Sequence, residues 1–199
     1  MKIAFCLFKY SPYSGLSLDF GRILEECLNR GHSAHVFVSE WQGERPEGAQ
    51  FTVLESPKIS LKFSNHAQNE QFHNKLQVEL KKRAFDVVVG FNKMPDLDVY
   101  HGADICYIGR TVPRYPALYK LTTRYKHRYL LEASVFSTQS KTLILSLSEK
   151  EKSVYQEHYF TPDSRFYLLP PTLDHRFSPV LDRTTARANL RAEIGISEA

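Results

Sequence analysis

The chain has 199 residues, 42% hydrophobic and 24% charged, and carries a net charge of +4. This is the composition of a soluble globular domain with one sizeable core. It excludes a bilayer span, because the longest unbroken apolar run is the six residues 3–8. The first residues also lack the charged, apolar, small order of an export signal. The cysteines Cys6, Cys27 and Cys106 are odd in number and have no metal or redox spacing, which predicts reduced thiols in a cytoplasmic protein.

The first forty residues read as a βαβ unit. Residues 3–8 are continuously apolar, as in a strand covered on both faces. A turn-rich loop over 10–15 leads into a helix whose apolar positions Leu16, Phe20, Ile23, Leu24, Cys27 and Leu28 recur at helical spacing. Gly31 caps that helix and residues 34–38 form the second strand. The spacing then predicts a strand at 51–54, a polar helix over 65–83 with Phe72, Leu76 and Leu80 on one face, and a strand at 85–89. Further strands are expected at 104–108, 142–147 and 166–169, with helices over 116–136 and 149–159. The alternation predicts an α/β fold: a Rossmann-like, mostly parallel sheet of about seven strands with helices on both faces. Pro170 and Pro171 end it, giving a domain over 1–171. Residues 172–183 read as a linker and 184–194 as a helix capped by Gly195, so that 172–199 leads toward a second domain.

Six cations lie between Ile105 and Leu131 with no acid among them: Arg110, Arg114, Lys120, Arg124, Lys126 and Arg128. Without them the chain has 20 cations against 22 acids, or −2, so the positive charge is one patch on a slightly acidic protein. Tyr107, Tyr115, Tyr119, Tyr125 and Tyr129 are interleaved with these cations. On one continuous helix Leu118, Leu121, Tyr125, Tyr129 and Phe136 would share a face, opposite Lys120, Arg124 and His127. Such a stretch suits the surface of an anionic membrane. An internal helix with a solvated basic face stays open as a reading. Nucleic acid is disfavoured because the rest of the chain is not basic.

Two loops follow strands at the carboxyl edge, where ligands bind in such sheets. In the first, Gly15 at a helix N-terminus would admit a phosphate or sugar, and Asp19 one turn later would face a ligand hydroxyl. It is neither Gly-x-Gly-x-x-Gly nor a Walker loop, so a plain connection stays open. The second, residues 90–98, carries Asn92, Lys93, Asp96 and Asp98, which suit a polyhydroxyl or phosphorylated sugar or a polar surface loop. The eight histidines have no zinc spacing, His32 and His35 read as structural, and no Gly-x-Ser-x-Gly elbow supports hydrolase chemistry.

A family resemblance rests on Ala4-Phe5-Cys6-Leu7 with Lys9-Tyr10, Gly15-Leu16, Asp19-Phe20 and Arg30-Gly31-His32. The long run Val88-Val89-Gly90-Phe91-Asn92-Lys93-Met94-Pro95 with Leu97-Asp98-Val99-Tyr100 carries most of it, followed by Ala103-Asp104, Cys106-Tyr107, Leu121-Thr122, Arg124-Tyr125 and Leu168-Leu169-Pro170-Pro171. Over nearly its whole length the chain resembles the N-terminal half of a retaining GT-B glycosyltransferase, of the lipopolysaccharide core glucosyltransferase type. The resemblance implies transfer of glucose from UDP-glucose to an inner-core heptose, with the UDP-sugar as substrate and no cofactor or metal. It places Ser14, Gly15 and Leu16 against the donor diphosphate, Asp19 near the transferred sugar, and Asn92, Lys93 and Asp98 at the lipopolysaccharide acceptor. It also implies that Arg110, Arg114, Tyr119, Lys120, Arg124, Tyr125, Lys126 and Arg128 contact the anionic inner membrane from the cytoplasmic side.

This sequence departs from the family at three points. Ser14 stands where a glycine is usual, Ser17-Leu18 where Gln-Arg is expected, and Thr172 where a glycine follows the prolines. The partner that the resemblance requires is a C-terminal domain holding the uridine and most diphosphate contacts, so residues 1–199 alone are expected to be inactive. The alternatives are a non-catalytic membrane-surface or carbohydrate-binding module and, more remotely, a flavodoxin-like nucleotide-binding regulator.

Overall fold

The computed structural model describes residues 1–55, 65–170 and 182–196. Among them, seven strands form one sheet: β1 (Lys2–Tyr10), β2 (Ser33–Trp41), β3 (Ala49–Val53), β4 (Val87–Gly90), β5 (Val99–Gly102), β6 (Leu143–Ser146) and β7 (Phe166–Leu168). The order is β3-β2-β1-β4-β5-β6-β7 and each neighbouring pair is parallel. The helices are α1 (Gly15–Asn29), α2 (Asn65–Lys82), α3 (Thr123–Phe136), α4 (Glu149–Tyr159) and α5 (Arg183–Glu193). This is the expected Rossmann-like sheet, parallel throughout. The expected linker falls mostly outside the described residues.

The two-residue period of β1 divides the core. Ile3, Phe5 and Leu7 pack with Phe20 and Leu24 of α1 on one face. Ala4 and Cys6 point to the other, where Phe72 and Leu76 of α2, Phe136 of α3 and Tyr155 of α4 close the layer. Chain direction also follows from local signals. Ser14 caps α1 by accepting from Ser17 N at 3.1 Å. Gly31, at φ 78°, ends it with a Schellman pair: Gly31 N to Leu28 O at 2.9 Å and His32 N to Cys27 O at 3.0 Å.

Two expectations are corrected. Residues 104–108 are not a strand; the strand is β5, earlier in the chain, and a single turn of π-helix spans Tyr107–Thr111. The cause is a set of carboxylates that take the amides a ladder would need. Cys106 N donates to Glu151 Oε2 at 3.1 Å, Tyr107 N to Glu132 Oε2 at 2.7 Å and Ile108 N to Glu132 Oε1 at 3.1 Å. Residues 116–136 are not one helix either. A 3-10 turn over Ala117–Leu121 stops, and Thr122 caps a new helix, α3, by accepting from Tyr125 N at 3.2 Å. The break takes Leu118 and Leu121 off the Phe136 face and leaves them 75% and 71% exposed.

Candidate functional site

The chain runs from β1 outward through β2 and β3, then returns to place β4 on the other side of β1. The connections after β1 and β4 therefore leave in opposite directions and open a crevice at the carboxyl edge. One wall is the start of α1. Ser14 Oγ lies 3.0 Å from Ser17 Oγ, which in turn accepts from Ser11 N at 3.1 Å, so the loop is held from inside. A Cβ built on Gly15 would meet nothing within 4 Å, so the chain's own packing does not require glycine there. The other wall is the loop after β4, tied down by Phe8 N donating to Asn92 Oδ1 at 2.7 Å.

Asp19 lies one turn into α1. Its Oδ1 is 3.8 Å from Arg22 Nη1 and its Oδ2 is 3.8 Å from Nε2 of His101, at the end of β5. His101 is 1% exposed and stacks on Phe91, 5.2 Å between ring centroids. Burial holds its imidazole below the ordinary value, with Asp19 pulling the other way. These three residues line a small cavity of about 120 Å³ with Leu147, Leu169 and Pro170, at the ends of β6 and β7.

A larger cavity of about 410 Å³ lies between the loop after β4, the π-turn region and α3. Asn92, Lys93, Asp104, Arg124 and Arg128 are among its lining residues. Lys93 is engaged internally: Nζ is 2.5 Å from Glu132 Oε2 and 2.9 Å from Ile105 O. Glu132 is fully buried and also accepts from Tyr159 OH at 2.8 Å. Burial pushes the nearby Cys106 thiol up to about 12, so it stays protonated. Among the described residues no cluster of three His, Cys, Asp or Glu is placed to hold a metal ion, and no helix is long and apolar enough to cross a membrane.

No family model matches the chain. The lipopolysaccharide glucosyltransferase WaaG of Escherichia coli (strain K12) is 38% identical over 200 residues, a match covering 100% of this chain and 52% of that protein. A crystal structure of WaaG, described as a glycosyltransferase involved in lipopolysaccharide biosynthesis, superposes with a TM-score of 0.88 at 36% identity, over 98% of this chain and 52% of that one. The chain has the sequence and fold of a WaaG-like N-terminal domain. It spans about half the length of these relatives.

In this WaaG-like domain the predicted donor residues Ser14, Gly15, Leu16 and Asp19 share one crevice wall. Asn92 and Lys93 come together at the larger cavity, but Asp98 does not join them. It precedes β5, at the opposite end of that strand from the crevice, and its Oδ2 accepts from Val88 N at 2.8 Å. Of the predicted membrane residues, Arg114, Lys120, Arg124, Lys126 and Arg128 are exposed. Arg110 is paired with Glu151 at 3.0 Å, Tyr119 shares a 2.8 Å hydrogen bond with Tyr107, and Tyr125 stacks on Tyr129. The sequence reading missed His101, Arg22 and Glu132. His101 was visible only once β5 was placed, since a histidine ending a parallel strand points to the binding edge.

Proposed function

We propose that the chain is the acceptor-side half of a lipopolysaccharide core glycosyltransferase that moves glucose from UDP-glucose to an inner-core heptose with retention of configuration. The supporting observation is the crevice at the β1/β4 switch, where the amino end of α1 presents open backbone at Gly15 and a carboxylate at Asp19. In this reading the α1 terminus meets the donor diphosphate, Asp19 contacts the sugar in transit, and Asn92 and Lys93 border the acceptor. A C-terminal domain supplies the uridine contacts and most of the stabilisation of the leaving diphosphate. Residues 1–199 alone then transfer glucose negligibly. The test is co-expression with the C-terminal half of a WaaG-like enzyme. Restored glucose transfer to a heptose acceptor supports the reading, and turnover of UDP-glucose by residues 1–199 alone overturns the division of labour.

A membrane-facing role belongs to the same reading. Leu118, Leu121 and Leu130 are 75%, 71% and 65% exposed beside Arg114, Lys120 and Lys126, an apolar and cationic surface suited to the anionic cytoplasmic face of the inner membrane. Co-sedimentation with anionic but not neutral vesicles, abolished when Arg114, Lys120 and Lys126 are changed to Glu, is the expected result. Equal binding by that variant removes the membrane role.

A further inference from the structure

Arg124 and Arg128 stand one turn apart on α3, at positions i and i+4, and both line the larger cavity. Two like charges at that spacing destabilise a helix unless something neutralises them. The carboxylates that could do so are committed elsewhere: Glu132 to Lys93 and Glu151 to Arg110. Asp104 also lines the cavity but makes no ion pair with either arginine among the described residues, and its carboxylate accepts from Tyr100 OH at 3.3 Å. Arg128 instead sits 5.7 Å over the ring of Tyr107, which turns the planar cation into part of the cavity wall. Around this pair are the polar groups that bind sugar hydroxyls: the amides of Asn69 and Asn92 and the hydroxyl of Thr111. The volume, about 410 Å³, falls in the range of small-ligand sites.

We propose that this cavity binds an acidic saccharide, with Arg124 and Arg128 gripping a carboxylate or phosphate on a sugar ring whose hydroxyls meet Asn69, Asn92 and Thr111. A guanidinium pair matches either anion through paired N–H donors, which a lysine pair would not. The proposal rests on the acceptor-side reading above and adds the class of acceptor: a saccharide bearing a negative group close to the sugar that is modified. It also divides the basic segment, with Arg124 and Arg128 serving the saccharide while Arg114, Lys120 and Lys126 face the lipid surface.

The test uses residues 1–199 and monosaccharide probes at fixed ionic strength, followed by NMR titration. Glucuronate and mannose 6-phosphate should each bind at least about tenfold more tightly than glucose, as expected for a charge-assisted pair. The preference should vanish in the double variant R124Q/R128Q and strengthen in D104N, which removes the opposing carboxylate. Because D104N moves affinity upward, a general loss of folding cannot mimic the pattern. Equal binding of glucose and the acidic sugars overturns the proposal. Inorganic phosphate binding as tightly as mannose 6-phosphate, or anionic vesicles displacing both acidic sugars from the cavity, also overturns it by assigning the arginines to a free anion or a lipid headgroup. None of these results depends on turnover of UDP-glucose, so the site fails or stands separately from the transfer reaction.

Discussion

Lys93 Nζ lies 2.5 Å from Glu132 Oε2, and the pair is the hub that joins the loop after β4 to the π-turn and α3. Glu132 holds Tyr107 N, Ile108 N and Tyr159 OH as well, so one buried carboxylate fixes the wall of the larger cavity. Replacing it by glutamine turns an amide NH2, itself a donor, toward these donors and strands Lys93. Breaking a buried pair this way costs about 3–5 kcal/mol. Urea unfolding of E132Q should show that loss. K93M should lose less, because Tyr107 N, Ile108 N and Tyr159 OH still donate to the carboxylate, whereas E132Q disturbs all of these hydrogen bonds at once. Equal losses in the two variants would sink the hub.

The exposed leucines give a prediction separate from charge. L118D and L121D remove side chains that are 75% and 71% exposed, so thermal stability should stay within about 0.5 kcal/mol of the parent. If these leucines enter the interface, affinity for anionic vesicles falls about tenfold for each, the size of one buried leucine. Unchanged partitioning would leave the cations alone in contact with the lipid.

What could be read from the sequence follows from where the signal is local. β1 and α1 were legible because a continuous apolar run, a turn-rich loop and a Gly stop all lie within thirty residues. The start of α1, which carries Ser14, Gly15, Leu16 and Asp19, came with them. Residues 104–122 were not legible, since their conformation depends on Glu132 and Glu151, which come later in the chain and whose reach into backbone amides leaves no periodic trace. The shift of β5 hid His101, and the break at Thr122 hid the exposure of Leu118 and Leu121. For the loop after β4 the pattern gave the residue types but not their commitments: Lys93 is bound inward and Asp98 sits at the far end of β5.

Two glycines separate ligand from packing. At Gly90 a Cβ would collide with Leu97 Cδ1, inside the core, and G90A should cost about 1–3 kcal/mol by overpacking. At Gly15 a Cβ has nothing within 4 Å and the position opens α1, so G15A should be neutral or slightly stabilising. If the α1 terminus receives the donor diphosphate, G15A nonetheless weakens UDP-glucose binding in the reassembled two-domain enzyme. A calorimetric titration in which G15A binds as the parent does would move the diphosphate away from this loop.

Acid sensitivity should come from buried histidines. His73 on α2 is 9% exposed, and burial, with the charge of His127 adding to it, lowers its pKa from 6.5 to about 4. Above 6.5 the ring is neutral in both the folded and unfolded states and stability does not depend on it. Between 6.5 and about 4 the unfolded chain takes up a proton that the folded protein refuses, so stability falls as pH falls. From about pH 7 to about pH 5 the loss is about 2 kcal/mol for this one group. His35 and His101, also lowered by burial, add in the same direction. Urea midpoints across that range should decline, and H73Q should flatten the slope by the share of His73. A midpoint that holds constant down to about pH 5 would mean that His73 takes its proton in the folded state and is not sealed between α2 and α3.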